Sequence, residues 1–253
     1  AVCGYHGWHD WYLSSNLAQS DNLDNLILPG LSVSGIPKAL SHTTFPFKYN
    51  DYEGLLRLVI EQDIGTIKME VKRNFEPKDH FLKKVRQLAT DKNIVLIFDE
   101  CTSGFRSNFG GLHKLYDVEP DMAMFGKALG NGYAITAVVG RRSVMDSAQS
   151  TFISSTFWTE RIGPSAALKT LEVMESTKSW EYNTDIGLYF QKLLKELSNT
   201  SGVPVEVFGL PSLTNFVFKS DAHLKLKTLF TQEMLKKGFL ASTIFFSSLA
   251  HDR

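Results

Sequence analysis

The sequence predicts an α/β protein: a mainly parallel sheet in the first half, then a smaller α+β part towards the C-terminus. Three observations carry that reading. Short β-rich runs alternate with helical stretches through the first half, as they do where helices cross over a parallel sheet. Five consecutive apolar residues, Ile94-Val95-Leu96-Ile97-Phe98, end on Asp99 and Glu100, the pattern of a strand buried on both faces. From about Ser165 the alternation gives way to long helical stripes and a strand pair.

Ile67-Lys68-Met69-Glu70-Val71 reads as the strand before that apolar run, and a helix joins the two. Phe81, Leu82, Val85, Leu88 and Ala89 mark the helix by their spacing, with Pro77 and Asp79 near its start. Residues 122–125 form another short apolar run, followed by Gly126-Lys127, and residues 134–140 are a further strand candidate. Beyond Ser165, Ala167, Leu171 and Met174 share one helical face, and Ile186, Tyr189, Phe190, Leu193, Leu194 and Leu197 share another. Gly202-Val203-Pro204 ends that helix. Residues 205–208 and 214–218 pair as strands around Gly209 and Pro211, a helix follows through Leu226, Leu229 and Phe230, and residues 239–241 read as a last strand. The expected division is a large domain over 1–150 and a small domain over 165–253, with the change near 143–165 and no flexible linker.

Composition narrows the function classes. Lys plus Arg and Asp plus Glu each total 27, so the net charge is zero, which gives nucleic acid or an anionic membrane no electrostatic hold. No window approaches the roughly 18 apolar residues of a membrane helix. Two cysteines, Cys3 and Cys101, cannot make a disulfide framework or hold a structural zinc alone, so a reducing, cytoplasmic setting is expected. The chain opens at Ala1 and stops at Arg253 just after an apolar run, and a piece of a longer protein is the expectation.

In open α/β sheets ligands sit beyond the carboxyl ends of the strands. Asp99 stands at such an end. Position alone leaves it open whether its carboxylate caps a helix, pairs with an arginine such as Arg106, or holds a bound cation or metal. Lys127 follows the next strand within Phe125-Gly126-Lys127-Ala128-Leu129-Gly130-Asn131-Gly132. Glycines let the backbone turn tightly there and let a ligand approach. A desolvated lysine in that place suits Schiff-base formation. The segment is no Walker loop, since the lysine is followed by Ala128 rather than Ser or Thr. His6, His9 and Asp10 are no complete metal set.

These residues together resemble the signature of class III aminotransferases, which are fold-type I pyridoxal phosphate (PLP) enzymes, nearest to the glutamate-1-semialdehyde aminomutase branch. The resemblance rests on Ile97-Phe98-Asp99-Glu100, Thr102-Ser103-Gly104-Phe105-Arg106 and the segment from Phe125 to Gly130. Gly4-Tyr5-His6-Gly7 matches the aromatic-His-Gly motif, and Ser155-Thr156-Phe157 stands where the family has its phosphate-contacting threonine. The family then implies a Schiff base on Lys127, which later moves a proton between substrate and cofactor. Asp99 would pair with the pyridinium nitrogen, and His6 of the aromatic-His-Gly motif would be one of the cofactor-binding residues. Tyr5 and Cys101 would pack on the two ring faces, and Glu70 and Asn74 would reach towards the cofactor.

The implied assembly is a homodimer with shared active sites, Thr156 reaching the neighbour's phosphate. The implied partners are a small amino donor and a carbonyl acceptor. An aminomutase, returning nitrogen to another carbon of the same skeleton, is the enzymatic alternative, and a non-catalytic PLP-fold module is the alternative of another class. Val71 replaces the usual proline after Glu70, the spacing to Asn74 is one residue short, and Trp158-Thr159-Glu160 replace a small Gly-Asn-Pro turn, a change expected to reshape the substrate mouth. The family's Gly/Ser-rich phosphate turn lies upstream of the aromatic-His-Gly motif and is expected outside this chain.

Overall fold

The computed structural model describes residues 1–253 apart from 25 and 27. A five-stranded sheet runs in chain order: β1 (Val2–Cys3), β2 (Thr66–Met69), β3 (Val95–Asp99), β4 (Met122–Phe125) and β5 (Ala137–Gly140). The first four are parallel and β5 is antiparallel to β4. Between β1 and β2 come α1 (Asp10–Leu13), α2 (Ser15–Ala18) and α3 (Tyr52–Glu61), and α4 (Phe81–Asp91) crosses from β2 to β3.

The α4 helix forms where the apolar stripe requires it. Phe81, Leu82, Val85, Leu88 and Ala89 are all buried, against Ile67, Met69, Leu96 and Phe98 of the sheet. Asn93 then takes a left-handed conformation (φ 53°), which asparagine tolerates, and turns the chain straight into β3. Asp121 fastens helix to sheet: its Oδ2 accepts from the Leu96 N–H and from Arg86, both at 2.8 Å.

The β3 run is not buried equally on its two faces. Leu96 and Phe98 are fully buried, whereas Val95 and Ile97 are half-buried. The strand period of two places Val95 and Ile97 on the face that also carries Lys68 and Asp99. On that face Lys68 and Asp99 stand among apolar side chains that are less deeply buried than Leu96 and Phe98.

After β5 come α5 (Arg142–Met145), α6 (Ile162–Thr177) and α7 (Ser179–Ser201). An antiparallel sheet follows, of β6 (Val205–Leu210), β7 (Leu213–Phe218) and β8 (Ile244–Phe246), with α8 (His223–Lys236) between β7 and β8. Leu210 and Leu213, flanking the β6–β7 turn, join the same buried cluster as α4. The turn lies so close to α7 that a Cβ on Gly187 would stand 1.9 Å from the Pro211 carbonyl oxygen. Only glycine fits there.

Residues 239–241 are not a strand. Leu240 is 97% exposed, and the last strand forms at Ile244–Phe246, where β7 offers a ladder partner. The long stripe on α7 buries Ile186 but leaves Leu193 and Leu197 exposed. No helix among the described residues is long and apolar enough to cross a membrane.

Candidate active site

Parallel pairing of β3 with β4, with Asp99 opposite Met124, brings Asp99 and the Gly126-Lys127 turn to one edge of the sheet. Lys127 takes a left-handed φ of 47°, unfavourable for a side chain with a Cβ. The turn is held by Gly130, where a Cβ would meet the Tyr133 carbonyl oxygen at 2.2 Å. The Lys127 ammonium donates to the Thr102 hydroxyl at 2.7 Å.

Asp99 is buried and densely held. Its Oδ2 accepts from His6 Nδ1 at 2.9 Å and lies 3.4 Å from Lys68 Nζ, and its Oδ1 accepts from the Cys101 N–H at 3.2 Å. Burial pushes its pKa up, but the His6 hydrogen bond, the Lys68 charge and the Cys101 N–H win and hold it at about 2. The carboxylate is therefore ionised at neutral pH. Burial lowers the His6 pKa, so His6 donates as a neutral imidazole, wedged edge-on to Tyr12 and stacked near Trp11. Its Nε2 is buried without a partner among the described residues.

Glu70 ends β2 one strand away and behaves oppositely. Burial raises its pKa to about 7, despite Arg73, the Tyr5 N–H and Lys127, which pull it down. Its Oε1 accepts from Tyr5 N–H at 3.3 Å and lies 3.4 Å from Arg73 Nη1. Tyr5 comes this close because Gly4 precedes it: a Cβ on Gly4 would sit 2.9 Å from Glu70 Cγ. Asn74 lines a cavity of about 300 Å³ together with Glu70, Arg73 and Gly4. The Cys101 thiol is half-buried, 3.5 Å from where a Gly126 Cβ would be. Burial and Asp99 raise its pKa to about 11, so it packs as a neutral group.

Tyr5, His6, Glu70, Asp99, Cys101 and Lys127 thus cluster along one sheet edge, with Asn74 at the rim of the adjoining cavity. Thr156 is apart from them. It lies in an exposed turn, and its hydroxyl has no hydrogen-bond partner among the described residues.

The structure gives site contacts to three residues that the sequence named only within strand or motif segments. Lys68 reaches Asp99 and lies over the Trp11 ring at 5.1 Å. Alternation in Ile67-Lys68-Met69-Glu70 carried that signal, since it puts Lys68 on the Asp99 face. Thr102 receives Lys127. Glu100, fully buried, accepts from His113 N–H at 2.9 Å, bonds His113 Nδ1 at 2.8 Å and accepts from Ser103 Oγ, which pins the loop after Asp99.

Residues 74–245 match the family model described as aminotransferase class-III. The chain belongs to the class-III aminotransferase family. Among curated relatives, the 3-aminobutyryl-CoA aminotransferase of Cloacimonas acidaminovorans is 34% identical, over 92% of this chain and 55% of the relative. A glutamate-1-semialdehyde 2,1-aminomutase of Nitrosopumilus maritimus is 31% identical, over 98% and 63%. Among solved structures, the PLP-bearing FumI protein of Sphingopyxis sp. MTA144 superposes with a TM-score of 0.85 at 23% identity, covering 99% of this chain and 60% of that one. This class-III aminotransferase chain therefore has the fold-type I architecture and spans somewhat over half the length of these relatives.

The donor set suits the family's cofactor. Asp99 is kept ionised, and among the described residues its Oδ1 accepts one backbone N–H, which leaves a lone pair for a ring N–H. A primary amine stands at the neighbouring strand end.

Proposed function

We propose that this class-III aminotransferase chain carries the reacting centre of a PLP-dependent transaminase, which moves nitrogen from an amino donor to a keto or aldehyde acceptor. The observation behind this reading is Lys127 and an ionised Asp99 on adjacent ends of parallel strands. Pyridoxal phosphate, when bound, supplies an electron sink for the carbon that loses its proton. Lys127 would hold the cofactor through Nζ, the atom that would also move that proton. Asp99, oriented by His6, would keep the ring nitrogen protonated. Tyr5 and the neutral Cys101 thiol would pack against the ring, and Glu70 and Asn74 would reach towards the cofactor.

Residues 1–150 are then part of the cofactor-binding large domain and residues 165–253 part of the small domain. Thr156 serves the neighbouring subunit of a homodimer. In support, Phe152 is 96% exposed, and Phe157 and Trp158 beside Thr156 are exposed too, an apolar surface that a second copy would cover. Two free thiols, Cys3 and Cys101, suit a cytoplasmic setting.

Similarity to glutamate-1-semialdehyde aminomutases favours mutase chemistry as a second reading, in which the same residues act on one skeleton. Release of a keto product from the donor alone separates the two. The test of the main reading is borohydride reduction of the full-length protein with pyridoxal phosphate, followed by peptide mapping. The pyridoxyl label is expected on Lys127, and a label on another lysine refutes the assignment.

A further inference from the structure

Lys68 brings to the site an amine besides Lys127, one with no part in the proton transfer assigned to Lys127. It projects from β2 on the Asp99 face of the sheet, and its side chain is 11% exposed. The Trp11 ring of α1 lies 5.1 Å from its ammonium, and Asp99 Oδ2 lies 3.4 Å away. Among the described residues no other carboxylate pairs with it. An ammonium so far withdrawn from water is costly without a counter-charge, so Lys68 draws on the charge of Asp99.

Asp99 stays ionised without this help. Burial works against its charge, and the His6 hydrogen bond is the largest of the influences that overcome burial, with Lys68 and the Cys101 N–H adding to it. With the carboxyl held at about 2, losing one of these influences leaves it charged at neutral pH. What Lys68 adds is competition. The carboxylate carries one negative charge, His6 donates to it as a neutral imidazole, and the ammonium already balances it. A ring nitrogen that keeps its proton beside Asp99 brings a second positive charge to the same carboxylate. At an effective dielectric near 20, two unit charges about 7 Å apart oppose one another by more than one pK unit.

We propose that Lys68 is a positioning residue that acts through Asp99: it shares the carboxylate with the cofactor's ring nitrogen, loosens the hold on the ring proton, and so tempers the electron sink. A ring that gives up its proton more readily stabilises the deprotonated substrate carbon less. The inference rests on the pyridoxal phosphate reading; the Lys68–Asp99 pair itself does not. The other ionisable groups around the pair are His6 before α1, Cys101 in the loop after β3, Glu70 at the end of β2 and Lys127 in the turn after β4. His6 and Cys101 are neutral at working pH, whereas Glu70 exchanges its proton near 7.

The test is 15N NMR of the full-length protein loaded with pyridoxal phosphate labelled with 15N in the ring, because the shift of that nitrogen reports its proton directly. Each chain is measured with Glu70 intact and as Glu70→Gln, so that the Glu70 proton is not read as the ring's. Lys68→Met should keep the ring proton to a pH about one unit higher than the chain with Lys68. Lys68→Arg restores the charge and should move the midpoint back, and Lys68→Gln carries the test if the methionine variant does not fold. A ring equally protonated at every pH with and without the Lys68 charge overturns the proposal. So does a difference that vanishes in Glu70→Gln, or an arginine variant that behaves like the methionine one. Failure of the aminotransferase reading looks different: borohydride leaves Lys127 unlabelled, no ring signal of bound cofactor is seen, and the proposal falls with it.

Discussion

Glutamine in place of Glu70 removes an ionisable group that burial holds half-protonated near neutral pH, while keeping an oxygen for Tyr5 N–H. The ordinary value of 4.5 rises to about 7 in the folded protein. Below 4.5 both folded and unfolded chains carry the proton, and Glu70 adds no pH dependence. Between 4.5 and about 7 the folded state binds more protons than the unfolded state, so stability falls as pH rises. At about 1.4 kcal/mol per pK unit, the loss across that window is about 3 kcal/mol, and with Glu70 only 7% exposed solvent screens little of it.

His6 acts in the other direction. Its lowered pKa keeps the folded state neutral where the unfolded chain takes a proton, so its contribution grows as pH rises towards 6.5. The wild-type profile mixes the two, and the difference between wild type and Glu70→Gln isolates Glu70. Urea unfolding should find the variant close to wild type at pH 5 and about 3 kcal/mol more stable at pH 8. A stability difference equal at both pH values, within about 0.5 kcal/mol, would refute the assignment of a raised pKa to Glu70.

Asp99→Asn keeps the shape but not the charge, so kcat should fall by about 100-fold or more at saturating cofactor, and turnover within a few-fold of wild type would refute the electronic role. Lys68→Met removes one of the groups that hold the His6 pKa down; an NMR titration should find the His6 value higher than in wild type, and no movement would mean that the Lys68 charge does not reach the ring. For the shared site, mixing Lys127→Ala chains with Thr156→Ala chains should restore one competent site per heterodimer, and inactive mixtures would count against the dimer reading.

The parts legible in the sequence were those fixed by local pattern. Each residue of the stripe from Phe81 to Ala89 is buried, because a helix against a sheet has one face to hide. Asp99 was legible because an apolar run must stop where the chain leaves the sheet, and parallel order brings the next strand's end, with Lys127, to the same edge. What pattern could not supply was pairing. Residues 239–241 are as apolar as a strand, yet they have no ladder partner and stay exposed, while Ile244–Phe246 pairs with β7. Strand preference follows such context more than residue type. The contacts of Lys68 and Thr102 were illegible for the same reason: each matters only through a neighbour on another segment. Thr156, exposed here, would acquire its role only from a second chain.

Glu70 and Asp99 stand near each other on one sheet edge, close enough that the Asp99 charge helps to raise the Glu70 pKa. Two like carboxylates in one site are driven apart unless their surroundings differ. Here the difference is built from donors. Asp99 takes His6, Lys68 and a backbone N–H and stays charged down to about pH 2. Glu70 has one arginine at a like 3.4 Å and a single long backbone contact, too little to offset its burial, and stays near 7. Asp99 is therefore a fixed charge at every working pH, suited to holding a ring nitrogen protonated, whereas Glu70 exchanges its proton in the neutral range. It follows that a change in activity between pH 5 and 8 that arises from these two carboxylates traces to Glu70, because Asp99 has no protonation left to lose there.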